Sequence, residues 1–447
     1  MKPRNNNYRW FVVAVFFFFM LLHQSDKLMI GSLTTQIMET YGINEVQMGA
    51  VVSGALLVGA ILYPIWGYLY DRYARSKLLA LASFIWGSTT WLSAIAPTYP
   101  SFMASRASTG VDDSSYPGLY SLISDYFGPA VRGKVYGLLQ LSQPLGYMVG
   151  LLAATLLSGV IGWRGVFYVT GSLGLVLAVV IFFGVKETPR GGSEPEMEGL
   201  EQVGVYRFEP KLALGLFRKR SLLLLFAQGF VGVFPWNVIT YWFFRYLETE
   251  RGYDSNSILM TMAPAVLILA AGYFVGGALG DLLFKHTPRG RLVVAMIGVI
   301  AGAVLLTFTM GVPLDSRGTF LGLLMTTAVF IPFASANVIS TVYDITLPEV
   351  RSTALSVQYL IENGGAALAP LLAGMIAATS SLHNAILIIC VSTWALGAVL
   401  LGVTAYLVPA DIASLREQMR QRAAQEQQRQ AFAGQSEAAA PATAHGQ

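Results

Sequence analysis

Charged side chains are scarce in this chain. They make up 12% of its 447 residues, against about 25% in a typical soluble domain. Hydrophobic residues make up 54%, and the mean hydropathy is +0.56. A soluble protein of this composition would expose large apolar patches, which favour aggregation. The scarcity of charge therefore indicates a membrane protein.

Cysteine and catalytic motifs are also nearly absent. The single cysteine, Cys390, lies in an apolar run, so no intramolecular disulfide can form. The sequence has no Gly-x-Ser-x-Gly, no histidine cluster and no Asp-rich metal motif, which argues against a membrane-embedded enzyme. The lack of a phosphate-binding Gly-Lys-Ser/Thr loop argues against an ATP-driven pump. We expect no metal and no cofactor and, because the basic residues are scattered, no nucleic-acid partner.

Apolar runs of the roughly 20 residues needed to cross a bilayer recur along the chain. Six precede a polar stretch and six follow it. The predicted spans are 10–30, 47–66, 78–97, 101–126, 135–158, 165–185, 221–246, 257–284, 292–312, 319–343, 353–379 and 385–408. The predicted fold class is an all-α membrane protein with twelve transmembrane helices in two six-helix bundles.

The polar stretch 186–220 divides the chain. We interpret it as a cytoplasmic linker, with one short interfacial helix over 211–219, between an N-terminal bundle (1–185) and a C-terminal bundle (221–408). The tail, 409–447, begins with a helical pattern and is then rich in Gln and Ala, so we expect it to be largely disordered.

Positive charge predicts the orientation, because Lys and Arg concentrate in cytoplasmic loops. Most of the 29 Lys and Arg residues are cytoplasmic if the N-terminus is inside. Those at or near the outer face are Arg164, Arg245, Arg251 and Arg317. The sequence predicts a multi-pass protein with both termini cytoplasmic, working as a monomer in the lipid bilayer (the plasma, or inner, membrane if the source is bacterial).

Two charged-loop patterns each occur once in either half. The first places Asp, Pro, Val and Arg at identical spacing in Asp125-Tyr-Phe-Gly-Pro-Ala-Val-Arg132 and in Asp344-Ile-Thr-Leu-Pro-Glu-Val-Arg351. The second is Gly-x-x-x-Asp followed by basic residues, at 67–71 and at 277–281. The repetition indicates a duplicated unit, and duplication in an apolar chain is typical of transporters.

Twelve spans, a central linker and the loop Gly67-x-x-x-Asp71-Arg72-x-x-Arg75 resemble the major facilitator superfamily. The resemblance implies that this loop packs one half against the other on the cytoplasmic side. It also implies that the contact stabilises the outward-open state.

A second segment has a narrower likeness. Arg106-Ala-Ser-Thr-Gly-Val-Asp-Asp113-Ser-Ser-Tyr116 resembles the fourth-span signature of Spinster-type and related anion-cation symporter carriers, which have Glu where Asp113 stands. Those carriers also have an Asp-Arg pair in the first span, and Asp26-Lys27 matches it with Lys for Arg.

Ionisable residues within spans are costly and point to function. Helical spacing places Arg106 and Asp113 on one face of the fourth span, and we expect that face to line the central cavity opposite Asp26 and Lys27. In this interpretation Asp26 or Asp113 carries a proton, while Arg106 with Lys27 holds an acidic group of the substrate. Substrate and proton then assist each other's binding. The alternative is a buried ion-pair network that only joins the two spans.

Other polar residues in spans are less specific. His23, one turn from Asp26, is either a proton relay or an interhelical hydrogen-bond donor. Tyr116 closes the fourth-span signature and is a predicted substrate contact. Glu362 in the eleventh span either lines the cavity or caps an unwound segment.

A proline in the middle of the seventh span predicts a kink. Pro235 removes one backbone hydrogen bond. We therefore predict that Asn237 and Tyr241 contact the substrate and that Pro235 takes part in gating.

The charged loops predict an inner gate. One predicted cluster joins Asp71, Arg72, Asp125 and Arg132, and a looser copy joins Asp281, Asp344 and Arg351. Gly67 and Arg75 belong to the same gating motif, as the resemblance implies.

The function predicted is a secondary transporter of an organic anion, coupled to protons. Two substrates compete, a small organic anion and a lysophospholipid or other amphipathic anion, the latter suggested by the Spinster-like pattern and the many aromatic residues. A non-transporting receptor or scaffold with a transporter fold is the alternative of another class.

Overall fold

All regular structure in the described chain is helical. The computed structural model describes residues 6–43, 45–113, 115–197 and 209–439, and within these ranges there is no strand. The side chains of several residues inside helices, including Asp112 and Asp113, lie outside the description. The all-α prediction is confirmed.

Eight helices precede the linker. They are α1 (Asn6–Tyr41), α2 (Glu45–Arg72), α3 (Arg75–Ile95), α4 (Tyr99–Ser108), α5 (Gly110–Asp113), α6 (Tyr116–Tyr126), α7 (Pro129–Gln140) and α8 (Ser142–Gly184). We call this part of the chain the first half.

The linker and the second half contain eight further α-helices. They are α9 (Pro210–Leu216), α10 (Arg220–Thr249), α11 (Ser255–Phe284), α12 (Gly290–Met310), α13 (Arg317–Phe330), α14 (Phe333–Asp344), α15 (Arg351–Thr379) and α16 (Leu382–Ala439). Single 3₁₀ turns stand at Pro195–Met197 and Pro348–Val350. The short linker helix α9 begins one residue before the predicted helix 211–219 and ends three residues before that helix ends.

Local sequence explains several helix boundaries. Thr98 and Ser101 form a capping box at the start of α4, each side chain accepting a hydrogen bond from the other's backbone N–H. Pro129 begins α7, where its missing N–H costs nothing. Gly162 interrupts α8 with φ 68° and ψ 167°, between the predicted spans 135–158 and 165–185.

Nine helical segments of the described chain are long and apolar enough to cross a membrane. They are Asn7–Lys27, Arg75–Ile95, Leu156–Gly184, Arg220–Thr249, Asn256–Phe284, Gly290–Met310, Arg317–Asp344, Pro348–Thr379 and Leu382–Gln430. The predicted spans outside this set fall on α2, on the broken run α4 to α6, and on α7 with the start of α8. The count of twelve stays a prediction.

Packing between the halves follows the repeat. α7 packs against α11, and α2 packs against α15. Within the first half α1 and α3 pack on α8, and within the second half α10 packs on α15 and α16. Close to the linker, Tyr136 of α7 and Tyr343 of α14 meet edge to face, with ring centroids 5.9 Å apart. A layer of buried tyrosines therefore fills the junction between the halves.

The described tail is helical where the sequence analysis predicts a largely disordered segment. α16 continues through residue 439. Leu415, Met419 and Ala423 pack on Met197 of the linker, so the tail buries an apolar face that its composition did not reveal. Residues 440–447 lie outside the described chain.

Candidate functional site

A polar cavity of about 220 Å³ lies in the second half, at the side that faces the first half, from which Gln140 and Gln143 complete its wall. Four carboxamides and four aromatic rings lie in its wall beside aliphatic residues. Its polar and aromatic lining residues are Gln140, Gln143, Gln228, Gln358, Ser335, Tyr273, Tyr359, Trp236, Trp394 and Glu362. Gln140 lies one helical turn beyond Tyr136, which places the cavity on the far side of the tyrosine layer from the linker.

Two of these carboxamides have unused hydrogen-bonding atoms. Gln140 is 1% exposed, and apart from the nearby hydroxyl of Tyr120 neither its Oε1 nor its Nε2 has a partner among the described residues. Gln358 is 2% exposed, and its Oε1 is likewise without one. Buried polar atoms are normally satisfied, so a polar solute in the cavity would supply partners that the protein does not.

Glu362 brings a charge to this cavity. Its carboxylate accepts a hydrogen bond of 2.8 Å from Nε2 of Gln358, one turn earlier on α15. It packs on α10 at Gly229, where an added Cβ would stand 2.9 Å from its Oε1. Of the two roles left open for Glu362, the structure places it in the cavity wall.

Asp26 and Arg106 form a second polar site inside the first half. Nη1 of Arg106 lies 3.2 Å from Oδ2 of Asp26, and both side chains are buried. Thr170 donates to Oδ1 of Asp26 over 2.9 Å, and Thr90 donates to Oδ2 over 3.3 Å. The carboxylate thus has one cation and two hydroxyl donors, drawn from α3, α4 and α8.

His23 lies beside this pair in an aromatic setting. Its Nδ1 is 2.6 Å from the hydroxyl of Tyr116. Its ring stacks on Phe19 and meets Trp86 edge to face. The hydrogen bond to Tyr116 fits the interhelical role, and the relay role stays a prediction.

The structure does not bring all the predicted contact residues together. Asp26, Lys27 and Arg106 are not part of the wall described for the polar cavity, and the side chain of Asp113 lies outside the described residues. Asn237 donates its Nδ2 hydrogen to the carbonyl of Val233 on its own helix. Tyr241 is 59% exposed.

Pro235 does line the cavity, and α10 continues as one helix past this proline. Helical spacing does not say which neighbour a face meets, and the common face of Arg106 and Asp113 stays a prediction, since α4 ends at Ser108 and α5 begins at Gly110.

The two repeated motifs clasp each other at the end of the molecule nearest the linker, which we call the linker end. Asp71 accepts hydrogen bonds from the backbone N–H groups of Ser352 (3.1 Å) and Thr353 (2.7 Å) at the start of α15. Burial raises the pKa of Asp71 to about 6, although these hydrogen bonds lower it.

Asp281 makes the equivalent contact in the opposite direction. It accepts from the N–H groups of Gly133 (3.0 Å) and Lys134 (2.7 Å), the fifth and sixth residues of α7. Each half thus places a carboxylate near a helix N-terminus of the other half, where the helix dipole favours negative charge.

Buried arginines connect these carboxylates. Arg75 pairs with Asp125 at 2.5 Å, and Arg291 takes the corresponding place beside Asp344. Arg132 of the first half lies 3.1 Å from Asp344 of the second. We call these residues, with Asp71, Asp281, Arg351 and Glu194, the linker-end cluster.

The prediction of two separate clusters is therefore wrong in its partners. Arg132 pairs across the halves with Asp344, and Arg351 lies 3.7 Å from Asp125. Arg72 is not in the cluster, because its guanidinium is exposed and donates to the hydroxyl of Tyr68 one turn earlier. Repeat spacing identifies equivalent residues, whereas pairing depends on how the halves dock.

Glu194 of the linker is the acid on which the cluster converges, and the sequence analysis missed it. Its Oε1 lies 3.0 Å from Arg132 and 2.5 Å from Arg351, and its Oε2 lies 2.9 Å from Arg416 of the tail. Burial alone would raise the pKa of its carboxyl, but the guanidiniums of Arg351, Arg132 and Arg416 hold it well below its usual range.

Other missed residues carry weak sequence signals. Arg291 is one of the basic residues that follow the second Gly-x-x-x-Asp motif, so comparison with the first motif could have predicted it as a gating residue. Gln140 and Gln358 are polar residues in apolar runs, a signal that attention to charged residues alone overlooks.

Comparison with known proteins identifies the family. The sequence profile of the Major Facilitator Superfamily matches residues 15–370, which is most of the chain. The chain belongs to the Major Facilitator Superfamily. It is therefore a multi-pass integral membrane protein of a transporter family, not an enzyme.

Among its relatives in this superfamily is the protein spinster of Drosophila melanogaster. It is 30% identical over 390 residues, which cover 84% of this chain and 63% of that protein. The chain thus spans less than two thirds of that relative's length. The probable L-galactonate transporter of Escherichia coli (strain K12) is 27% identical over 404 residues, covering 86% of this chain and 87% of that protein.

A solved structure shares the superfamily fold. The bacterial homolog to the human lysosomal transporter Spinster, in its inward-facing and unoccupied conformation, matches with a TM-score of 0.55 and 18% sequence identity. The match covers 92% of this chain and 98% of that one. The predicted superfamily and the Spinster-type resemblance are confirmed.

Proposed function

We propose that this superfamily member is a secondary active transporter that moves an organic anion by alternating access, with protons as the coupling ion. The observation that carries the proposal is the polar cavity of the second half, which Gln140 and Gln143 of the first half complete and which buried tyrosines and ion pairs separate from the linker end. A relative named as a probable L-galactonate transporter supports the choice of an organic acid.

Alternating access follows from the linker-end cluster. While Asp71 and Asp281 each bind the opposite half, the cavity is closed at that end. Substrate then enters from the other end, and its binding shifts the population toward states in which the cluster has parted. Residues of the cluster are the gating residues in this scheme.

The membrane arrangement belongs to the same proposal. Twelve spans form two six-helix bundles, residues 1–185 and 221–408, joined by a cytoplasmic linker, with both termini cytoplasmic and the monomer as the working unit. The linker end is then the cytoplasmic end, consistent with the excess of Lys and Arg there.

The charged site in the first half retains its predicted role. Arg106, with Lys27, is the alternative site for the acidic group of the substrate, outside the described wall of the polar cavity, while Asp26, Asp113 and His23 are the candidate proton-handling groups of that half. Tyr116, bonded to His23, completes the site.

An amphipathic lipid anion is the second candidate substrate. An apolar groove of about 550 Å³ between α10, α15 and α16 borders Ile361, the residue before Glu362, and has room for an acyl chain. The polar cavity alone falls below the roughly 300–1,000 Å³ of drug-sized sites, which favours a sugar-acid-sized solute there.

Uptake into proteoliposomes tests the proposal. We expect labelled galactonate or glucuronate to accumulate when the outside is acidic, and collapse of the proton gradient to stop accumulation. A lysophospholipid should compete poorly. Strong competition by the lipid without acid uptake would support the second candidate, and no flux of either class would indicate a receptor or scaffold.

A further inference from the structure

Glu362 is the charged side chain in the described wall of the polar cavity. The other polar groups there are carboxamides, a serine hydroxyl, tyrosine hydroxyls and indoles. No Lys or Arg stands in that wall within the part of the chain that the structure describes. The cavity therefore presents negative charge, when Glu362 is ionised, to a solute that is itself an anion.

The groups around Glu362 do not neutralise it. On its own helix, α15, Gln358 donates a hydrogen bond of 2.8 Å to Glu362. Tyr359, three residues before Glu362, also lines the cavity. From α10 it meets the backbone at Gly229. The titratable groups of other elements nearby are Tyr273 of α11, in the wall, and Tyr63 of α2, whose ring meets that of Tyr359 at 5.6 Å.

Asp26 is in the opposite situation. It already has Arg106 at 3.2 Å and the hydroxyls of Thr170 and Thr90. That carboxylate is neutralised by a fixed cation and needs no proton when an anion arrives. No Lys or Arg among the described residues pairs with Glu362, so a proton is the available means of removing its charge.

We infer that Glu362 carries the coupling proton, and that an anionic substrate occupies the polar cavity only when this carboxyl is protonated. The inference rests on the proposed function, because it needs an anion as cargo. The proton is taken from the compartment from which the anion enters. Once protonated, Glu362 no longer repels the anion and becomes a hydrogen-bond donor within the cavity.

The loaded and empty states then differ in a defined way. One anion and one proton enter together and leave together, since loss of the anion to the opposite side lets Glu362 release its proton there. Proton and anion raise each other's affinity by the same factor, as linkage requires. This assigns coupling to the second half, whereas the predicted proton sites Asp26, Asp113 and His23 all lie in the first.

The test compares Glu362→Gln with the wild type in proteoliposomes, using the acid that uptake assays select from galactonate and glucuronate. The glutamine keeps the size of the side chain and its hydrogen bonding, and it mimics the protonated form. We expect the variant to lose proton-driven accumulation but to keep exchange of labelled for unlabelled acid. Exchange also shows that the variant is folded.

The pH dependence of binding provides a second readout. Above the pKa of the relevant carboxyl, wild-type affinity for the acid should fall about tenfold per pH unit. Affinity in Glu362→Gln should be the same at about pH 6 and about pH 8, because the acids tested ionise near pH 4 and stay charged. Glu248→Gln, on an exposed carboxyl of α10, is the matched control and should behave as wild type.

The outcomes separate the inference from the proposed function. A Glu362→Gln variant that still accumulates acid with the gradient, or an Asp26→Asn variant that alone abolishes the pH dependence, would overturn the inference and leave anion transport standing. Wild-type uptake that ignores the proton gradient would contradict the proton coupling in the proposed function and would overturn the inference with it. Wild-type protein that moves neither acid contradicts the proposed function itself.

Discussion

Asp26 and Arg106 show what a charge inside a span requires. Both are buried, with 2% of Asp26 and 4% of Arg106 exposed, and both carboxylate oxygens of Asp26 accept hydrogen bonds. Buried pairs contribute modestly as pairs, whereas removing one partner leaves an uncompensated charge. The site is therefore sensitive to single substitutions and tolerant of paired ones.

Arg106→Leu is expected to destabilise the protein by about 3–5 kcal/mol, because Asp26 is left buried without its cation. The double variant Asp26→Asn/Arg106→Leu should recover much of that loss. Thermal unfolding in detergent measures both, with the exposed Arg245→Leu as control. A double variant no more stable than Arg106→Leu would show that the two charges do not compensate each other.

Sequence could predict this pair but not its surroundings. Asp26 and Arg106 stand out because charges are rare in spans, and helix spacing places the face of Arg106. Thr90 and Thr170 complete the site with hydroxyls, and threonine is an ordinary residue of apolar helices. The partners of Glu362 escaped prediction for the same reason, since Gln358 and Gly229 become informative only when α10 and α15 are docked.

At the level of helices, the interfaces α7–α11 and α2–α15 depend on small residues. An added Cβ at Gly277 would stand 2.2 Å from the carbonyl oxygen of Gly133. At Gly67 the nearest atom would be Oγ of Ser356, at 2.5 Å. Small residues allow such close approach of membrane helices, and here they bring each carboxylate to the opposite helix N-terminus.

Gly277→Ala should destabilise the protein by about 1–3 kcal/mol, because a backbone carbonyl cannot move aside as a side chain can. Gly67→Ala should cost less. Gly397→Ala, where no atom of the described residues lies within 4 Å of the new Cβ, is the control. Unfolding temperatures in detergent rank the three, and an equal loss for Gly277→Ala and Gly397→Ala would contradict the close-approach argument.

The repeated motifs identify equivalent residues in the two halves, but they do not say how those residues pair. Asp71 and Asp281 occupy equivalent places in the two copies, so both were expected at the same end of the molecule. Spacing does not distinguish a contact within a half from one across the halves. The exchange of Arg132 and Arg351 between the predicted clusters arises from this ambiguity.

For the whole molecule, the linker and tail are part of the closed end. Glu194, 2% exposed, contacts arginines of both halves and of the tail. Arg422 of the tail pairs with Glu349 at 2.6 Å, next to the start of α15. The segment predicted as a linker therefore also helps to hold the two halves together.

Glu194→Gln is expected to shift the molecule toward states open at the linker end, because Arg132 and Arg351 then repel each other without their shared counter-charge. Spin labels at Tyr73 and Arg289, exposed positions on either half, would report longer distances. Cys390→Ser provides the cysteine-free background, since the chain has one cysteine. Glu417→Gln in the exposed part of the tail is the control, and an unchanged distribution for Glu194→Gln would refute the expectation.

The crossed contacts of Asp71 and Asp281 have a consequence for each half on its own. Asp71 in the first half contacts the start of α15. Asp281, the equivalent residue of the second half, contacts α7, which is the counterpart of α15 in the first half. Such self-complementarity is the geometry of an isologous homodimer with a two-fold axis. A single half carrying both motifs would therefore present a surface complementary to a second copy of itself.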